Sequence, residues 1–292
     1  MYQAISSNRV KSVVVLLLFV IILVALGYVF GEWTGIRELT PIALVFALIS
    51  VLTSYYYSDS IVLGISRARP ARKEDYPELY NDVEGLAIAA GLPMPRIYTI
   101  DDTAPNAFAT GRDPQHAVIA VTTGLLQKLD RQELEGVIGH EMSHIKDYDI
   151  RFMTIVAVLV GTIALLSDWM RRMAWFGGGR SRRDSGGAGI IALLGLVLAI
   201  VAPIIALLMQ MALSRTREYL ADAQGAMLTR YPEGLARALE KLAADTEPLE
   251  VANKATAHLY IVNPLTEHKG MVNNLFDTHP PITERVRRLR AM

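Results

Sequence analysis

Histidines 140 and 144 stand four residues apart in His140-Glu141-Met142-Ser143-His144, the segment of this chain with the strongest chemical content. On an α-helix, residues four apart lie on one face, so both imidazoles can reach one metal ion. Glu141, next to the first imidazole, is placed to take a proton from a water at that metal and act as a general base. A surface helix with two histidines and an ordinary glutamate is the competing reading of these five residues. Catalytic zinc uses three protein ligands and keeps one position open. The chain contains no cysteine, so the third ligand must be His, Asp or Glu. Glu218-Tyr219-Leu220-Ala221-Asp222 offers two carboxylates at i, i+4. Glu218 suits the metal. Asp222 suits a hydrogen bond from the far nitrogen of a ligand histidine, which fixes the tautomer and strengthens the ligand. Taken alone, the two acids describe an exposed helix face paired with Arg215 and Arg217; the upstream histidine pair favours ligation.

These residues need rigid elements to hold them. Asp130 and Glu133 form a plausible capping box before the histidine helix, and Leu134, Val137 and Ile138 supply its apolar face. Upstream, residues 74–149 read as a soluble unit. Pro77 to Ala90 has helical spacing and stops at Gly91-Leu92-Pro93. Arg96 to Ile100 predicts a short strand. Asn106 to Thr110 and His116 to Thr122 predict two more, joined by Gly111-Arg112-Asp113-Pro114. Either of the last two is a candidate edge for pairing with an extended substrate. Glu218 to Ala243 is helical in pattern, and a last helix begins near Pro280-Pro281.

The apolar residues are unevenly placed. They make up 52% of 292 residues, with mean hydropathy +0.29, and 29 Lys+Arg balance 29 Asp+Glu. That composition argues against disorder. The lack of cysteine excludes a disulfide scaffold and a thiol nucleophile, and a neutral chain without a basic stretch argues against a nucleic-acid partner. Ser12 to Phe30 and Thr40 to Ser58 are uncharged and long enough to span a bilayer core of about 30 Å. The first follows Arg9 and Lys11 as a signal peptide does, but it outruns a signal core, has no small-residue cleavage site, and a second span follows. Basic residues at Arg9 and Lys11, and at Arg67, Arg69, Arg72 and Lys73, put both ends in the cytoplasm. Two further apolar stretches, 152–167 and 186–214, flank an Arg/Gly-rich loop and form a hairpin, crossing or re-entrant, that returns the chain to the metal side.

The ordered set His140-Glu141-Met142-Ser143-His144, Ser214-Arg215 to Glu218 and Asp222, and Thr278-His279-Pro280-Pro281 before Arg285 resembles the HtpX family of membrane zinc metalloproteases, which is related to the CAAX prenyl proteases. Asn106-Ala107-Phe108-Ala109-Thr110-Gly111 resembles a family segment too, and the likeness runs along essentially the whole chain. It implies a multi-pass cell-membrane endopeptidase whose zinc site faces the cytoplasm and whose family role is quality control of misfolded or damaged membrane proteins. It carries His140, His144 and Glu218 over as ligands of one Zn2+ per chain, Glu141 as base, and His279 as a polar group near the reacting carbonyl. Asn106, Ala107 and Phe108, at the start of the first candidate edge, are expected to bind substrate. His116, His258 and His268 match nothing and read as surface residues.

The expected fold is therefore a mainly α membrane protein. It has a helical gluzincin-type protease domain with a small β-sheet, two N-terminal transmembrane helices and a further apolar hairpin. The expected organisation is a transmembrane hairpin at 1–60, the first half of the protease domain at 61–151, the apolar hairpin at 152–214 and the second half at 215–292. The expected partners are polypeptide or membrane-protein substrates and the lipid bilayer. A non-proteolytic zinc scaffold or holdase is the alternative from another class, disfavoured because such a site needs no base. A prenyl-protein protease ranks third, since the chain lacks the larger set of spans that an enclosing chamber requires.

Overall fold

The computed structural model describes residues 2–177, 214–253, 255–264 and 280–292. Two long helices open the chain, α1 (Tyr2–Thr34) and α2 (Leu39–Ile65). Within α1, Ile5–Glu32, and the whole of α2 are long and apolar enough to cross a membrane. At 1.5 Å per residue each is about 40 Å long, more than a hydrocarbon core needs. Both helices leave large apolar side chains uncovered, among them Leu17, Ile21, Ile42, Ile49 and Leu52. That is costly in water and favourable in lipid.

The sheet comes next. β1 (Arg69–Pro70), β2 (Arg96–Ile100), β3 (Ala107–Thr110) and β4 (Val118–Thr122) lie in the order β1-β2-β4-β3. β2 and β4 are parallel, and β3 is antiparallel to β4. Between β1 and β2, α3 (Pro77–Ala90) ends where Gly91 turns left-handed at φ 68°. β4 runs into a short helix, α4 (Thr123–Lys128). Strand β4 is paired on both sides, so of the two candidate edges only β3 is an edge. His116 sits in a 3-10 turn and not in a strand.

Helix α5 (Arg131–Lys146) carries the histidine motif. Its start is locked as the spacing predicts: Asp130 Oδ1 accepts from the Glu133 N–H, and Glu133 Oε2 accepts from the Asp130 N–H. Leu134, Val137, Ile138, Met142 and Ile145 then bury against the sheet and against Leu235 and Leu239. Each such side chain contributes about 1.5–3 kcal/mol on burial, so α5 is anchored by its core face while its other face carries the histidines. The chain does not run straight from α5 into the next helix. Tyr148 adopts a left-handed φ of 61°, and α6 (Asp149–Gly177) starts in a new direction. Its first part, Asp149–Leu166, is a third candidate span. Phe152, Ile155 and Leu159 of α6 pack with Val15 and Phe19 of α1 and Ala47 of α2.

The predicted single helix after residue 214 is two, α7 (Arg215–Thr229) and α8 (Pro232–Ala244). Pro232 offers no N–H and disfavours a helical Tyr231 before it; Arg230, at φ 55°, makes the turn. Gly225 of α7 lets that helix lie directly on α5: a Cβ there would stand 2.8 Å from the backbone nitrogen of His140. The C-terminal helix, α9 (Ile282–Leu289), closes over α7 and α8 with Val286 and Leu289 buried. The second arm of the expected hairpin with its Arg/Gly loop (178–213), His268 and His279 all lie outside the described residues.

Candidate metal centre

His140 and His144 point from α5 toward Glu218 of α7, and all three are buried. Their Nε2 atoms are 3.1 Å apart. The Glu218 carboxylate oxygens lie 3.7 Å from His140 Nε2 and 3.5 Å from His144 Nε2. A tetrahedral ion with bonds of about 2.0–2.2 Å keeps its ligand atoms about 3.3–3.6 Å apart, so the spacing fits one zinc.

The far ring nitrogens decide the tautomers. His140 Nδ1 lies 3.0 Å from Asp222 Oδ1, and His144 Nδ1 lies 3.1 Å from Asp149 Oδ2. A carboxylate can only accept, so each neutral ring keeps its proton on Nδ1 and turns a bare Nε2 inward. Two nitrogen lone pairs and a carboxylate then converge on one dry point. With both rings neutral the arrangement is relieved by a metal cation, and without one by a proton on His144 Nε2; a nitrogen and oxygen donor set suits zinc.

The two imidazoles are not equivalent. Burial lowers the pKa of His140, and neighbouring Arg285 and His144 add to the effect despite Asp222. Burial also opposes charge on His144, but its hydrogen bond with Asp149 and the charge of Glu218 outweigh this and raise it to about 9. Burial pushes the Glu141 carboxyl up to about 7, partly offset by the field of His144. Glu141 also takes a hydrogen bond from the backbone N–H of Ala109, which ties the acid to strand β3.

Arg285 of α9 is fully buried and grips Asp222 with two bonds, Nε to Oδ2 at 2.8 Å and Nη2 to Oδ1 at 2.6 Å. Its Nη1 donates to the Ile261 carbonyl and stands 3.8 Å from Glu218. Burial works against the Asp222 carboxylate, yet the Arg285 charge holds its pKa at about 2.

Asp149 and Arg285 cannot be read as members of this network from sequence spacing. Asp147 and Asp149 stand in a charged stretch between the histidine motif and the apolar run from residue 152, and both are buried. The left-handed turn at Tyr148, which hydrophobic periodicity does not encode, swings Asp149 back onto His144. Arg285 is visible in the sequence only by its place after Thr278-His279-Pro280-Pro281. His258, expected at the surface, is buried with Nε2 3.0 Å from the Met153 carbonyl, while His116 is exposed as expected.

The residues read as substrate-binding are nearby but already engaged. Asn106 donates from Nδ2 to the Val262 carbonyl, and the Ala107 carbonyl accepts from the Ile261 N–H. Phe108 points to the other face of the sheet, edge-on to Tyr260 at 5.1 Å between ring centroids. The segment 260–262 thus covers the first half of the β3 edge, and Ala109 lies beside Glu141 on the second half.

Residues 73–292 match the model of peptidase family M48. Curated relatives described as "Protease HtpX homolog" are 50% identical in Dictyoglomus thermophilum, over all of this chain and 94% of that protein, and 47% identical in Thermoanaerobacter pseudethanolicus, over all of this chain and 98% of that protein. Another so described, from Tropheryma whipplei, is 45% identical with the same coverage as the latter. The crystal structure of S. mikatae Ste24p shares the fold, with a TM-score of 0.51 and 20% identity over 99% of this chain and 67% of that one.

Proposed function

This chain belongs to peptidase family M48 as a membrane-associated metalloprotease of the HtpX type, and on that footing we propose that His140, His144 and Glu218 hold one zinc ion and that Glu141 is the general base for peptide-bond hydrolysis. The observation that carries this reading is the meeting of three buried ligand atoms within 4.8 Å of one another, one residue away from Glu141. A zinc ion held by His140, His144 and Glu218 would supply Lewis acidity toward the scissile carbonyl and the attacking water. Glu141, buried and with a raised pKa, takes a proton from the attacking water and hands it to the leaving amine. Asp222 and Asp149 keep the imidazoles in the ligating tautomer, and Arg285 offsets the charge of Asp222 and Glu218. The substrate backbone lies extended along the β3 edge near Ala109, where strand pairing exposes one peptide bond to Glu141.

The substrates we propose are misfolded or damaged membrane proteins. His144 lies five residues before Asp149, the start of a candidate span, so the site opens close to the membrane surface. To test the ligand set, zinc content is measured in the purified chain, in His144→Ala and in Glu218→Ala. About one ion per chain is expected in the parent and a large loss in both variants; parental zinc in either folded variant refutes the assignment.

The same reading has the site facing the cytoplasm, because Arg9 and Lys11 precede the apolar part of α1 and Arg67, Arg69, Arg72 and Lys73 follow α2. In this cysteine-free chain, Arg37→Cys should react with an impermeant thiol reagent on intact cells and Asp75→Cys should not. The opposite pattern reverses the orientation.

A further inference from the structure

We propose that Asn8, near the start of the first membrane helix, is a positioning residue of the metal centre: its amide aims Asp149, and Asp149 aims His144. The inference rests on His144 being a metal ligand, as proposed above. Asn8 is 2% exposed, on the polar first turns of α1 that also carry Ser7, Arg9, Lys11 and Ser12, ahead of the apolar run from Val13. Its Nδ2 donates to Asp149 Oδ1 at 2.6 Å and to the Asp147 carbonyl at 3.0 Å. The other oxygen of Asp149 faces His144 Nδ1. The α1 amide is therefore two hydrogen bonds from a ligand ring.

Both of its bonds answer a need. The Asp147 carbonyl belongs to the C-terminal end of α5, where carbonyls lack helical partners, so Asn8 caps the helix that carries both histidines. Asp149 has two oxygens to satisfy in a dry site, and only one can serve His144. Arg217 Nη1 also reaches Oδ1, at 3.2 Å. The carboxylate is thus pinned from α1 and from α7, the helix that supplies Glu218. An apolar residue at position 8 would leave a buried carbonyl and a carboxylate lone pair short of a donor, and Asp149 free to turn away from the ring. Helix α1 is then a structural part of the zinc site as well as a membrane anchor.

The test uses the full chain in detergent. Zinc affinity is measured by competition with a chromophoric chelator, and ligand geometry by the visible spectrum of the cobalt(II)-substituted protein. Asn8→Ala should weaken zinc about tenfold, the lower end of what loss of an outer partner costs, and shift the cobalt spectrum. Asn8→Asp keeps the shape but replaces the donor with a carboxylate facing Asp149, and should weaken zinc more. On an Asp149→Ala background Asn8→Ala should add almost nothing, since a residue acting through Asp149 has nothing left to aim. Val15→Ala loosens the packing of α1 without touching these bonds and should bind zinc as the parent does.

Parental affinity in Asn8→Asp, fully additive losses with Asp149→Ala, or an equal loss in Val15→Ala would each overturn the inference. A parent chain that takes up no zinc overturns the ligand assignment and the inference with it. Parental affinity in Asn8→Asp beside lost affinity in Glu218→Ala overturns the inference alone.

Discussion

Glu141→Gln should bind zinc as tightly as the parent and cleave an unfolded membrane protein about a hundred- to ten-thousand-fold more slowly, the range that a positioned general base contributes. The substitution is nearly isosteric. Its amide oxygen can still accept from the Ala109 N–H, and Glu141 is not among the three residues whose ligand atoms converge. What it loses is the ability to take a proton from water and return it to the leaving amine. Burial raises the Glu141 pKa to about 7 in the metal-free chain. The comparison is single-turnover cleavage beside zinc content in both proteins. A variant that cleaves at the parental rate rules out Glu141 as the base, whereas one that has lost its zinc makes it part of the ligand set.

The largest effect on stability is expected at Arg285. Arg285→Ala should lower unfolding stability by about 3–5 kcal/mol, because removing one partner of a buried pair leaves the other charge without compensation. Here Asp222 loses both of its guanidinium bonds, Glu218 loses a nearby positive charge, and the Ile261 carbonyl loses a donor. Zinc affinity should fall along with stability, since Asp222 also holds His140. Arg287, on the same helix, pairs with Glu284 at the exposed surface; surface pairs contribute little, so Arg287→Ala should leave the denaturation midpoint where it was. An unchanged midpoint for Arg285→Ala would mean that Asp222 finds its counter-charge elsewhere.

Much of the local structure was legible because it depends on near neighbours. The helix over Pro77–Ala90 and the strand over Arg96–Ile100 fall where spacing and turn residues put them, and the Asp130–Glu133 box starts α5. Expectations failed where one residue's backbone or one buried polar side chain overrode a pattern. Pro232 split a helix that apolar periodicity ran through. His258 is buried although nothing local marks it, because its partner is a carbonyl 105 residues earlier in the chain.

By itself, the amino-acid sequence singled out the residues proposed to carry the chemistry: the i, i+4 histidines with Glu141 between them, Glu218 and Asp222 one helical turn apart, and apolar runs long enough to enter a bilayer. Helical period and segment length are properties of consecutive residues, so they survive without a fold. Only the tertiary structure decided which partner each of these groups meets. Asn8 reaches Asp149 across 141 residues and Arg285 reaches Asp222 across 63, and hydrogen bonds between side chains so far apart obey no sequence spacing. They exist because the packed faces of α1, α5, α6, α7 and α9 exclude water from the same small volume. Inside it, each buried charge and donor has to be answered by whatever group the fold brings within about 3 Å.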